Sequence, residues 1–336
     1  MTAPVAESAA PALRTRVIAR RVVLASVLGA LVVVALSLYG DVNALTQNLR
    51  SFPPLSFLGA IALASGNYLL RFVRWQYYLV RLGVRVPVGE SAVVFLAGFV
   101  MSVTPGKVGE VVKSVLLFES RATPIARTAP IVVAERLTDL VALVALTAIG
   151  SLAFDRGVPI AVAGALIVGA ILFAAGFRPF GELLLGLSEK VPGVRRFTPR
   201  LREAYESLHL LMRPAPLLLG SVIATLAWAL ECAALDVILG GLGAPWLDWR
   251  AVTFAYSAPT IAGAVAMMPG GLGVTEAGMT ALLVALSHGR MTASVATAAT
   301  ILVRLATLWW AVAVGLVALG VFRAMLRRRT KTGQLE

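Results

Sequence analysis

The sequence predicts an all-α polytopic membrane protein, with six full spans and two re-entrant helical hairpins in an inverted-repeat arrangement. Three observations point there. Of 336 residues, 59% are hydrophobic and 14% charged, too apolar for a soluble domain, and the apolar runs are long enough to cross a bilayer. Most of the 30 Lys and Arg fall in or beside one set of loops, the positive-inside pattern. Two similar segments, Pro105-Gly106-Lys107-Val108-Gly109-Glu110 and Pro269-Gly270-Gly271-Leu272-Gly273-Val274-Thr275-Glu276, interrupt long apolar runs. Each joins a helix-breaking Pro-Gly to further glycine and a carboxylate. Such backbone is tolerated at membrane depth only where protein buries it or it lines a cavity.

The same composition narrows the function. The net charge of +13 follows topology and points to anionic lipid rather than to nucleic acid. The single cysteine, Cys232, rules out a disulfide framework, and His209 and His288 lie far apart. No metal site and no cofactor are expected.

Residues 1–21 read as a disordered, basic cytoplasmic N-terminus, Ala/Pro-rich and then carrying Arg14, Arg16, Arg20 and Arg21. The apolar run that follows is long for a signal peptide and lacks a small-x-small site, so Val22–Tyr39 is read as a retained first span. Span 2 covers about Leu55–Val80, with Arg71, Arg74 and Arg81 toward its end and Trp75, Tyr77 and Tyr78 read as an interfacial aromatic belt. The apolar stretch 91–103, the first Pro-Gly break and the apolar stretch 111–118 follow, with basic flanks on both sides. Thirteen helical residues reach roughly 20 Å, past the middle of a ~30 Å core but not across it. That length suits a hairpin entering and leaving on the cytoplasmic side.

Span 3 covers about Thr128–Ile149, and span 4 about Val158–Phe177 after a short loop with Asp155 and Arg156. Residues 178–213 form a basic cytoplasmic linker. Leu201, Leu208 and Leu211 recur there at helical spacing behind Thr198-Pro199, a cap and first turn; this suits an amphipathic surface helix or a solvated connecting one. Span 5 covers about Leu217–Leu239. The second interrupted element, 252–286, sits between weakly charged loops at Arg250 and Arg290 and reads as a hairpin entering from outside. Span 6 runs from about Ala293 to Phe322 and ends in a basic cytoplasmic tail, 326–336. One transmembrane domain, 22–325, then divides into repeat 1 (22–150) and repeat 2 (158–322). The odd number of crossings per half inverts the second against the first, and the two breaks lie 164 residues apart, close to half the chain.

Six acids, Glu110, Glu135, Asp139, Glu231, Asp236 and Glu276, lie in or beside the apolar segments. Arg71, Arg74, Lys107, Lys113, Arg136 and Arg304 balance them. Intramembrane charges are costly and usually paired, so a buried polar network is expected. Glu135 and Asp139, four apart, share a helix face; Glu231 and Asp236, five apart, need not. These groups either line a path for a charged headgroup or a proton, or hold helices together as static pairs. Arg71 and Arg74 have a further alternative, snorkelling to the interface. Each glycine-rich break precedes a half-helix whose free N–H groups suit an anion such as phosphate, with Lys107 adding a point charge. Glu110 and Glu276 have two alternatives: first-turn acids that neutralise the helix dipole, or titrating groups. Cys232 and Trp309-Trp310 read as packing residues.

The order of Arg71, Arg74 and Trp75, then Pro105–Glu110, then Glu135, Arg136 and Asp139, then Pro269–Glu276 resembles the lysylphosphatidylglycerol synthase transmembrane-region family across roughly residues 20–325. In its two-domain relatives this module translocates aminoacylated phosphatidylglycerol made by a C-terminal soluble transferase. Here the chain stops at Glu336, so no synthase domain is expected. Stand-alone relatives are associated with hopanoid or glycolipid pathways, so the resemblance leaves the cargo open.

The combined expectation is a non-enzymatic lipid translocase of the bacterial cytoplasmic membrane with both termini cytoplasmic. It would move an anionic or aminoacylated phospholipid, or a related amphiphile, between leaflets. Its candidate substrate-binding residues are Arg71, Arg74, Pro105, Gly106, Lys107, Gly109, Glu110, Glu135, Arg136, Asp139, Glu231, Gly270, Gly271, Gly273, Glu276 and Arg304. The expected partner is a membrane phospholipid or lipid-linked substrate and not nucleic acid; a homo-oligomer and a separate lipid-synthesising enzyme stay open. The alternatives are a secondary transporter of a small anion or metabolite, a lipid-modifying enzyme and a structural protein.

Overall fold

A computed structural model describes residues 31, 42–104, 109–153, 157–176, 182, 186 and 195–331. The expected first span, apart from Leu31, lies outside the described residues, as do Pro105, Gly106, Lys107 and most of the first half of the linker. The described residues form helices and no strand. Among the described residues four helical segments, Pro54–Arg81, Pro214–Gly241, Pro269–Leu286 and Ala293–Arg329, are long and apolar enough to cross a membrane.

A short helix, α1 (Val42–Ser51), precedes α2 (Pro54–Arg81). α2 and α8 (Pro214–Gly241) have 28 residues each and open with proline in the first turn, where its missing N–H costs nothing. They pack side by side in antiparallel directions along their length. Gly59 faces Val237, Gly66 faces Leu230, and Asn67 Nδ2 donates to Ala227 O at 2.8 Å.

A helical hairpin follows each of them in the chain. In the first, α3 (Val88–Ala97) runs on through a 3-10 turn, Gly98–Met101, and α4 (Val112–Arg121) returns. Its arms meet along their length: Thr104 Oγ1 accepts from Gly109 N at 2.9 Å near the tip, Gly98 lies against the Lys113 stem, and Arg121 grips Glu90 at 2.6 Å at the base. Burial alone would raise the Glu90 carboxyl. Bonds from Arg121, Arg329 and Ser120 outweigh it and hold the group down at about 2, so it stays ionised. In the second hairpin α9 (Trp249–Val265) descends, Pro269–Gly271 turns, and α10 (Val274–Leu286) returns. Its arms close at small residues, Gly263 against Gly271 and Gly278 against Pro259.

Each hairpin leans on a long helix from the other half of the chain. α9 packs on α5 (Ile125–Ser151), where a Cβ on Gly150 would stand 2.7 Å from Phe254 N and 2.8 Å from Arg250 O. α3 packs on the last helix, α12 (Trp310–Lys331), which follows α11 (Ala293–Arg304) through a π-helical segment, Leu305–Trp309. There a Cβ on Gly315 would stand 2.5 Å from Val100 N and 2.9 Å from Phe99 C. Gly315→Ala should therefore destabilise the protein by about 1–3 kcal/mol through overpacking. Gly320→Ala, on the same helix with open space around it, should be neutral or mildly stabilising. Thermal unfolding in detergent separates the two; equal midpoints would contradict the close contact.

α6 (Gly157–Gly176) lies against α5 and presents Leu166, Ile167 and Phe173 outward. α7 (Thr198–Leu211) also packs on α5.

Three expectations change. Trp75 and Tyr78 are not an interfacial belt but core: both are fully buried, Trp75 Nε1 donating to Ser91 Oγ of the first hairpin at 3.1 Å and Tyr78 packing against Gly220 of α8. Arg71 and Arg74 do not snorkel; both are buried. On α7, Leu211 is buried and Leu208 packs against the core, but Leu201 is exposed; Phe197, not Thr198, takes the N-cap position.

Candidate functional site

α5 carries Glu135, Arg136 and Asp139 on little more than one turn, and the elements around it supply opposite charges. Lys113 of α4 donates to Glu135 at 2.6 Å, its ammonium 4.7 Å from the Trp75 ring centroid. Arg74 of α2 lies 2.8 Å from Asp139 and donates to Thr138 at 2.9 Å. Arg136 bridges Asp139 at 3.1 Å and Glu110 at 3.3 Å. Arg71 and Lys113 each stand 3.7 Å from Glu110. Four cations and three carboxylates thus share one buried cluster among the described residues. Buried charges persist only when paired in this way.

The second tip is held by one ion pair. Gly270, Gly271 and Gly273 have φ of 61°, 73° and 87°, a left-handed backbone that explains the glycine run. Glu276 accepts from Gly273 N at 2.7 Å and from Arg304 Nε at 2.5 Å, and Arg304 Nη2 donates to Gly270 O at 2.6 Å. Glu276 therefore occupies the N-terminus of α10 as a first-turn acid.

The two tips touch. A Cβ on Gly270 would stand 3.5 Å from Val103 Cα, and Val103 packs with Leu272, Leu308 and Val312. Beside this contact lies a cavity of about 310 Å³. Arg71, Arg136, Asp139, Glu231 and Arg304 put charge on its walls. Leu140, Leu143 and Ile261 make other walls apolar, and Val265 and Met267 line it while 74% and 54% exposed. The cavity thus opens beside the tip half of α9.

Of the residues singled out by sequence, Arg71, Arg136, Asp139, Glu231, Gly270, Gly271 and Arg304 line this cavity. Arg74, Glu110 and Glu135 sit behind the wall in the ion cluster; Gly273 and Glu276 brace Arg304. Gly109 closes the first tip, and Pro105, Gly106 and Lys107 fall outside the described residues. Asp236 is exposed, on a different face from Glu231.

Sequence reasoning missed Tyr68, Ser102 and Tyr256, which also line the cavity. The Tyr256 hydroxyl donates to Glu231, and Tyr68 donates to Thr307 O of the π-helical segment at 2.6 Å. Tyrosine and serine inside apolar helices are too common to signal a site, so no pattern would have found them.

The family model described as "Lysylphosphatidylglycerol synthase TM region" matches residues 22–315. No curated protein sequence matches the chain at significance.

Proposed function

The chain belongs to the lysylphosphatidylglycerol synthase TM-region family and is a multi-pass integral membrane protein; from that premise we propose that it is a lipid translocase of the bacterial cytoplasmic membrane. It moves an anionic or aminoacylated phospholipid, or a related amphiphile, between leaflets without transforming it. One observation carries this reading: two helical hairpins meet tip to tip beside a cavity whose depth is charged and whose rim is apolar and exposed. A headgroup needs the first property and acyl chains need the second.

In this reading the hairpins are re-entrant, entering from opposite faces, and six helices span the bilayer with both termini cytoplasmic. The halves are inverted repeats. Supporting this, α2 and α8 match in length and pack antiparallel, and each hairpin leans on the long helix of the other half through a glycine, Gly315 or Gly150. The pair Glu110–Arg136 corresponds to Glu276–Arg304.

The halves differ in state. The approach to the first tip, 98–104, is buried throughout, whereas 262 and 264–267 of the second are exposed. Translocation exchanges these roles: α5 closes on the second tip as α12 withdraws from the first. Such exchange between inverted repeats gives alternating access around a fixed site.

The test is leaflet exchange in vesicles holding the purified protein and a headgroup-labelled phosphatidylglycerol, read by quenching of the outer-leaflet label. Faster loss of protected label than in protein-free vesicles is expected. Correctly folded protein with no exchange above that background would overturn the proposal, and uptake of a small anion instead would favour solute transport.

A further inference from the structure

We propose that Arg71 and Ser102 form a subsite for a singly charged phosphodiester, and that the lipid bearing it enters sideways past the tip half of α9, with an acyl chain over Val265 and Met267. This rests on the translocase reading and specifies its ligand chemistry and route.

Arg71 differs from the other cations around the cavity in donating no hydrogen bond among the described residues, although Arg74 and Arg136 also keep nitrogens without an acceptor. Arg74, Lys113, Arg136 and Arg304 each donate at least one hydrogen bond. Arg71 is more than nine-tenths buried, yet its Nε and Nη2 find no acceptor among the described residues. Its carboxylate neighbour, Glu110 Oε1, stands at 3.7 Å, too far for a hydrogen bond. The guanidinium is held over the Phe99 ring, 5.3 Å from its centroid, and lines the cavity. A desolvated guanidinium with unused donors is costly, and a ligand oxygen supplies what the protein withholds. Nε and Nη2 have no accessible surface, so a phosphate oxygen approaching from the cavity meets the guanidinium at Nη1. Ser102, buried on the cavity wall at the first tip, puts a hydroxyl in the same chamber.

Charge selects the class of phosphate. Asp139 and Glu231 line the same cavity as Arg71, Arg136 and Arg304. Two carboxylates disfavour a dianion but leave room for one negative charge, which distinguishes a diester from inorganic phosphate. The rim then selects the rest of the molecule. Val265 and Met267 are at once cavity wall and outer surface, and Leu140 and Ile261 continue the apolar wall inward. An acyl chain fits that surface, whereas a fully hydrated solute gains nothing from it.

The experiment uses the full chain in phosphatidylcholine vesicles containing photoactivatable phosphatidylglycerol, with cross-links mapped by peptide mass spectrometry and leaflet exchange measured in parallel. Wild type should label on 260–268 and near Leu140. Arg71→Gln should lower labelling and exchange about tenfold or more, as expected for loss of charge-assisted bonds. Arg71→Lys should recover part of both, and Ser102→Ala should weaken labelling less. Glycerol 3-phosphate should not compete; displacement of the label by it would assign the cavity to a soluble anion and overturn the lipid route. Wild-type labelling confined to other surfaces overturns the subsite even if Arg71→Gln does not fold. Exchange in wild type that is unchanged in both Arg71→Gln and Ser102→Ala overturns the subsite and leaves the translocase reading intact. Labelling at the predicted residues without exchange does the reverse.

Discussion

Replacing Arg74 with methionine should cost about 3–5 kcal/mol of stability, the loss expected when one partner of a buried ion pair is removed. Arg74 is fully buried, 2.8 Å from Asp139, and donates to Thr138. Without it Asp139 loses its nearest cation and keeps Arg136 at 3.1 Å, which also serves Glu110. The loss arises from the carboxylate left behind, not from the worth of the pair. The double variant Arg74→Met with Asp139→Leu should therefore be more stable than the single one, since an apolar replacement of a whole pair is often near neutral. Thermal unfolding of purified protein in detergent reads both. A double variant no more stable than Arg74→Met would show that the pair does not dominate here.

The second large effect is expected at Arg304→Leu, again about 3–5 kcal/mol. Arg304 holds two groups: the Glu276 carboxylate and the Gly270 carbonyl, with Glu276 in turn holding Gly273 N. Its loss strands a buried carboxylate and frees the turn that presents three left-handed glycines. Amide hydrogen exchange should accelerate across 262–276 and stay unchanged across 94–101 on the first hairpin. Uniform acceleration over both hairpins would mean that Arg304 supports the whole fold, not the second tip. Leaflet exchange should fall as well, because Gly270 also forms the contact with Val103.

These effects fall on residues of unequal visibility. The glycine run at 270–273 is legible because positive φ demands glycine, and Pro-Gly within an apolar run marks a break. The charges on α5 are legible because hydrocarbon makes each one expensive. Trp75 and Tyr78 mislead for the opposite reason. Aromatic residues next to arginines at a span end fit an interface, and only the first hairpin over Trp75 and α8 over Tyr78 turn them inward. Glu90 gave no signal. It is a helix-start acid like many others until Arg121 and Arg329 converge on it from elements 31 and 239 residues away.

The sequence by itself determined the class of molecule, the two interruptions and the need to pair the charges that apolar helices carry, because composition, periodicity and backbone chemistry are local. Tertiary structure alone decided which charges pair, which guanidinium is left without a close acceptor, and that the two tips meet beside one cavity. Those outcomes depend on how helices distant in sequence approach one another. That approach is set by close packing at a few glycines such as Gly150 and Gly315, where the absence of a single Cβ lets two backbones touch.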